Sequence, residues 1–150
     1  MHLNKYPSYF YPSLMTILLS LFVTGMMLAP TTLALKLEWS VPWRLSSDWH
    51  IGMSAMHVTF SFMTLIYIGT LWTIHMRSGW GKRKNQITGL IMLLIFLTLT
   101  LTGLGIYYLG DESLSKYASG MHLIAGISIP LCFGLHYIPH KRPAKKIYPK

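Results

Sequence analysis

Four stretches of this chain contain no lysine, arginine, aspartate or glutamate: Tyr6 to Leu35, Trp49 to Met76, Asn85 to Leu109 and Tyr117 to His140. A helix needs roughly 20 predominantly apolar residues to cross a bilayer, so each stretch suffices for one crossing. Together they take up most of the 150 residues. That leaves no room for a separate soluble catalytic domain. The expected architecture is all-α, a single integral membrane domain over residues 1–150. Its four transmembrane helices are predicted at about 10–33, 49–76, 86–109 and 118–139.

Local signals set those limits. Pro12 and Ser13 suit the entry to the first helix, and Pro30, Thr31 and Thr32 its exit. The run Ser78-Gly79-Trp80-Gly81 closes the second helix, Gly110-Asp111 the third and Pro139 the fourth. Lys5, an apolar run and Thr32-Leu33-Ala34 resemble a secretory signal. The run from Leu14 to Leu28 is longer than a signal core needs, so it reads as the first membrane helix. Tryptophans and tyrosines near the helix ends suit the headgroup region. Cys132 is the only cysteine, which excludes an intrachain disulfide, a Cys-x-x-Cys pair and covalent haem c attachment; it reads as a buried packing residue.

Only 11% of the residues are charged, against about 25% in soluble domains, and the net charge of +9 is unevenly placed. Lys5, the group Arg77, Lys82, Arg83 and Lys84, and the group Lys141, Arg142, Lys145, Lys146 and Lys150 fall on one side of the predicted membrane. The other side holds Lys36, Arg44 and Lys116 with all the acids: Glu38, Asp48, Asp111 and Glu112. The positive-inside rule then makes both termini cytoplasmic. The basicity reflects topology rather than nucleic-acid binding.

The chain also repeats. Val23-Thr24-Gly25-Met26 resembles Leu101-Thr102-Gly103-Leu104, and Met53-Ser54-Ala55-Met56-His57 resembles Ala118-Ser119-Gly120-Met121-His122. His57 and His122 are each followed eighteen residues later by another histidine, His75 and His140, and then by basic residues. Two copies of a helical hairpin are implied, related by a pseudo-two-fold axis along the membrane normal.

At about 100° and 1.5 Å per residue, His57 and His75 fall on one stripe about 27 Å apart. His136 lies about 21 Å along from His122 and about 40° off its stripe. Ionisable residues inside a membrane usually mark a functional path, and neutral imidazole is a strong axial ligand for haem iron. Histidines at two depths on two helices suit two stacked haems. His57 pairs with His122 near the outer surface. His75 pairs with His136, or with His140, which repeat symmetry favours, near the cytoplasmic one. Gly25, Gly103, Gly69 and Gly126 would let a flat porphyrin approach the backbone. Arg77, Arg142, Arg44 and Lys116 are candidate propionate partners. His2 and His50 read as surface residues.

The four helices, the paired Thr-Gly and the histidines of the second and fourth helices resemble the small bacterial di-haem cytochromes b, including cytochrome b561-like and respiratory cytochrome b membrane subunits. The resemblance covers residues 10–142. It implies bis-histidine haem b, probable only as a pair of such groups in its full form, electron transfer across the cytoplasmic (inner) membrane, and quinone oxidation or reduction beside one haem. The chain departs from it at Leu71, where the family pattern implies a second histidine fourteen residues after His57. The expected partner is an extracytoplasmic redox protein, a periplasmic cytochrome c or an iron-sulfur or molybdenum protein, facing Asp48, Asp111 and Glu112. Tyr107, Tyr108 and Trp72 are candidates for lining a quinone site. Two other readings fit parts of the sequence: a copper transporter or sensor using Met53, Met56 and His57, and a haem-free structural subunit of a respiratory complex.

Overall fold

The computed structural model describes residues 6–81 and 85–137. Helix α1 spans Phe10–Leu35 and α2 Ser47–Leu71; a π-helical turn, Trp72–Met76, leads into the short α3, Arg77–Gly81. Helices α4, Gln86–Tyr108, and α5, Glu112–Tyr137, complete the described chain. Four helical segments are long and apolar enough to cross a membrane.

Two antiparallel hairpins form, α1 against α2 and α4 against α5. Large apolar side chains such as Leu19, Ile66, Ile87 and Ile124 point outward, more than 60% exposed, as expected of helices solvated by lipid. Small and hydroxylic residues fill the inside: Thr24, Thr31, Thr64, Ser115, Ala118 and Ser119 are buried. With lipid as apolar as leucine, helix association relies on close van der Waals packing, which small residues permit. At Gly105 a Cβ would come within 3.2 Å of the Ala118 Cβ, so α4 and α5 touch there almost backbone to backbone.

The helix ends differ from the sequence expectation in two places. Pro30 lies inside α1 rather than at its exit, and the helix runs on to Leu35. Proline is tolerated within apolar spans when neighbouring groups compensate for the missing bond. The chain turns at Glu38, whose φ is 58°. The fourth long helix begins at Glu112, six residues before the expected start at 118. Asp111 explains the difference: its Oδ1 accepts the Leu114 N–H at 2.8 Å, an N-cap that starts the helix in the polar connection. Pro139, the expected stop, is outside the described residues. Cys132 is half-buried rather than buried.

Between the hairpins, α1 meets α5 at the end that carries the acidic residues. Lys36 Nζ donates to Ser115 Oγ at 3.0 Å. Lys116, a candidate propionate partner, instead pairs with Glu38 at 3.1 Å. This exposed pair contributes only about 0–1 kcal/mol.

Candidate haem-ligand pairs

The two hairpins also face one another through histidines. The ring centroids of His57 on α2 and His122 on α5 are 6.2 Å apart, with planes inclined at 71°. Toward the opposite end, His75 in the π turn and His136 on α5 are 5.9 Å apart and inclined at 56°. Fourteen residues of α5 separate the two pairs, about 21 Å of helix.

Three of these imidazoles share one environment. Thr24 Oγ1 donates to the carbonyls of Ser20 and Leu21, at 2.9 and 3.0 Å, and lies 3.0 Å from His57 Nδ1. Thr102 Oγ1 donates to the Thr98 carbonyl and lies 3.0 Å from His122 Nδ1. Thr88 Oγ1 donates to the Asn85 carbonyl and lies 2.9 Å from His136 Nδ1. A hydroxyl has one proton. With that proton committed to its own helix, each threonine accepts from Nδ1–H. The assignment leaves Nε2 as the bare nitrogen on all three rings, the tautomer a metal-binding histidine requires.

A glycine follows each threonine, and its missing side chain makes room for the ring. A Cβ at Gly25 would stand 3.0 Å from His57 Cε1; at Gly103 and Gly89 the corresponding distances, to His122 and His136, are 3.4 Å. The space at Gly25 and Gly103, expected to admit a porphyrin, is therefore used by the imidazoles themselves. Gly69 has nothing within 4 Å of its Cβ position, and at Gly126 the nearest atom is Leu99 Cδ2 at 3.9 Å.

His136 is further fixed by Asn85. This N-cap residue adopts φ 48°, a left-handed conformation that asparagine tolerates, and its Nδ2 donates to the His136 carbonyl at 2.7 Å. The bond satisfies a carbonyl in the last turn of α5.

Arg77 is exposed, two residues beyond His75. His140 and Arg142 lie outside the described residues. Thr88, Gly89 and Asn85 were not singled out from the sequence, although a signal for the first two exists. The chain contains three Thr-Gly dipeptides, and Thr88 and Thr102 are fourteen residues apart, like His122 and His136. In an antiparallel hairpin equal steps in opposite directions keep partners together, so that spacing pairs Thr88 with His136.

The donor set and the distances fit haem. With a metal–imidazole bond of about 2 Å and a ring radius of about 1 Å, two imidazoles on one iron have centroids about 6 Å apart. Both pairs lie close to that separation. Among the described residues no group of three or more His, Cys, Asp or Glu is gathered to hold a metal ion. Two protein ligands suit an iron whose macrocycle supplies the remaining donors, whereas zinc or copper sites ordinarily draw three or four from the protein.

No protein-family model, curated protein or solved structure matches the chain.

Proposed function

We propose that the chain is a b-type cytochrome membrane subunit, a four-helix bundle that carries electrons between the quinone pool and an extracytoplasmic redox partner. The supporting observation is the pair of facing imidazole couples, 6.2 and 5.9 Å apart, that link the two hairpins at two depths. The basic residues around α3 put the His75–His136 couple toward the cytoplasm and the His57–His122 couple toward the outer face.

Haem b, when bound, supplies one-electron chemistry at iron. His57 with His122, and His75 with His136, would hold it. Thr24, Thr102 and Thr88 keep the imidazoles neutral and oriented. Accepting from Nδ1–H raises ligand basicity, which favours the ferric state. The lipid-facing apolar shell excludes water, and burial and ligand hydrogen bonding together set the potential. Arg77 stands near the inner couple as a propionate partner. The Met53, Met56 and His57 copper reading has less support, because the four paired imidazoles would be left without a role.

Absorption spectra of the oxidised and dithionite-reduced protein, with a pyridine haemochrome assay, test the proposal. Two b haems per chain are expected; none, in protein produced with ample haem, overturns it. Thr102→Val keeps the side-chain shape and removes the acceptor, so one haem should stay six-coordinate while its midpoint potential rises by on the order of tens of millivolts in a redox titration. Gly25→Ala should lower haem occupancy more than Gly103→Ala, because its methyl meets the ring at 3.0 rather than 3.4 Å.

A further inference from the structure

The antiparallel register that pairs threonines with histidines has a fourth position. Eighteen residues on from His57 is His75, and eighteen back from Thr24 is Tyr6. A tyrosine therefore stands where the other three histidines have a threonine. It meets α2 through the backbone: its hydroxyl donates to the Thr70 carbonyl at 3.2 Å and accepts the His75 N–H at 3.2 Å.

Those two groups belong to the π turn. In an α-helix the His75 N–H would reach the Leu71 carbonyl, and in a regular π turn the Thr70 carbonyl. The Tyr6 hydroxyl bridges the second pair and occupies the wide rung. Inserting a side chain into the ladder is a recognised cause of such distortions. The extra residue draws His75 about 1.5 Å closer to His57 and swings it about 100° around the axis relative to an unbroken helix. It offsets part of the mismatch between eighteen residues on α2 and fourteen on α5.

The Tyr6 ring is itself held. It stacks on Phe10 at 4.1 Å and 12°, and buried Phe10 packs against Tyr67 at 5.0 Å. Burial raises the phenol's pKa above the usual tyrosine range, against the lowering effect of the His75 N–H, so the hydroxyl keeps the proton it donates.

We propose that Tyr6 is a positioning residue that sets the π turn at Trp72–Met76 and so aims His75 at His136. On the function proposed above, this makes it a determinant of the inner haem site.

Tyr6→Phe keeps the stack and deletes the hydroxyl. In haem-free protein in detergent, hydrogen exchange at the His75 amide should accelerate by at least about tenfold. In haem-loaded protein one of the two haems should change its low-spin electron paramagnetic resonance signal and its potential, with the other unaltered. Tyr11→Phe, whose hydroxyl has no partner among the described residues, should change neither. Unchanged exchange overturns the proposal, and so does faster exchange with both haem signals intact. If the wild-type protein binds no haem, the haem reading falls, and exchange alone decides whether Tyr6 sets the turn.

Discussion

Replacing His136 with alanine should remove one of the two haems, and replacing His140 should remove neither. Repeat symmetry makes His140 the counterpart of His75, yet His136 is the residue whose ring stands 5.9 Å from His75. Its Nδ1 is held by Thr88, its Cε1 lies over Gly89 and its carbonyl is bound by Asn85. A ligand positioned at three points is expensive to replace. A pyridine haemochrome assay on purified His136→Ala should give one haem per chain. The surviving signal should match the one lost in His122→Ala mutants' complement, that is, the outer couple. Transfer from a reduced quinol analogue should fall by at least about a hundredfold, the scale on which a displaced redox or catalytic group is felt. Two haems retained in His136→Ala and one in His140→Ala would reverse the ligand assignment.

The long helices were legible because charge is so unfavourable in the bilayer core that its absence alone marks the spans. Their ends were less so. Ser115 and Lys116 read as loop residues, but the Asp111 cap extends α5 back to Glu112. Pro30 reads as a stop, although the helix continues through it. The histidines stood out as rare ionisable groups on apolar faces, and the repeat indicated that His57 and His122 were equivalent. What each Nδ1 binds depended on the hairpin register, and the third Thr-Gly, at residues 88 and 89, carries that register in plain sight. The π turn was not legible. Its bridging hydroxyl comes from Tyr6, more than sixty residues away, and no local pattern around Trp72 announces it.

The haem-free protein should lose the pairing of its two hairpins while keeping each hairpin intact. Within the hairpins the packing is close and rests on small buried residues. Between them, the polar ties are Lys36 to Ser115 and the exposed Lys116–Glu38 pair. Such ties contribute about 1 kcal/mol each at most. Two ligated irons, each joining α2 to α5, would dominate this interface. A ligand at a thousand times its dissociation constant stabilises the native state by about 4 kcal/mol per site. For a chain of this size two such sites correspond to a rise in thermal midpoint on the order of 20 °C. Spin labels on the lipid-facing sides of α2 and α5 should report a distance distribution that narrows on haem loading, with labels on α4 and α5 unaffected. Thermal unfolding followed by helicity should show the matching shift. Equal midpoints with and without haem would mean that the hairpins are held by something other than the histidine couples. Because the same four residues supply both the ligands and the link between hairpins, assembly of the fold and acquisition of the cofactor become one event, and the bundle closes only when it is competent to carry electrons.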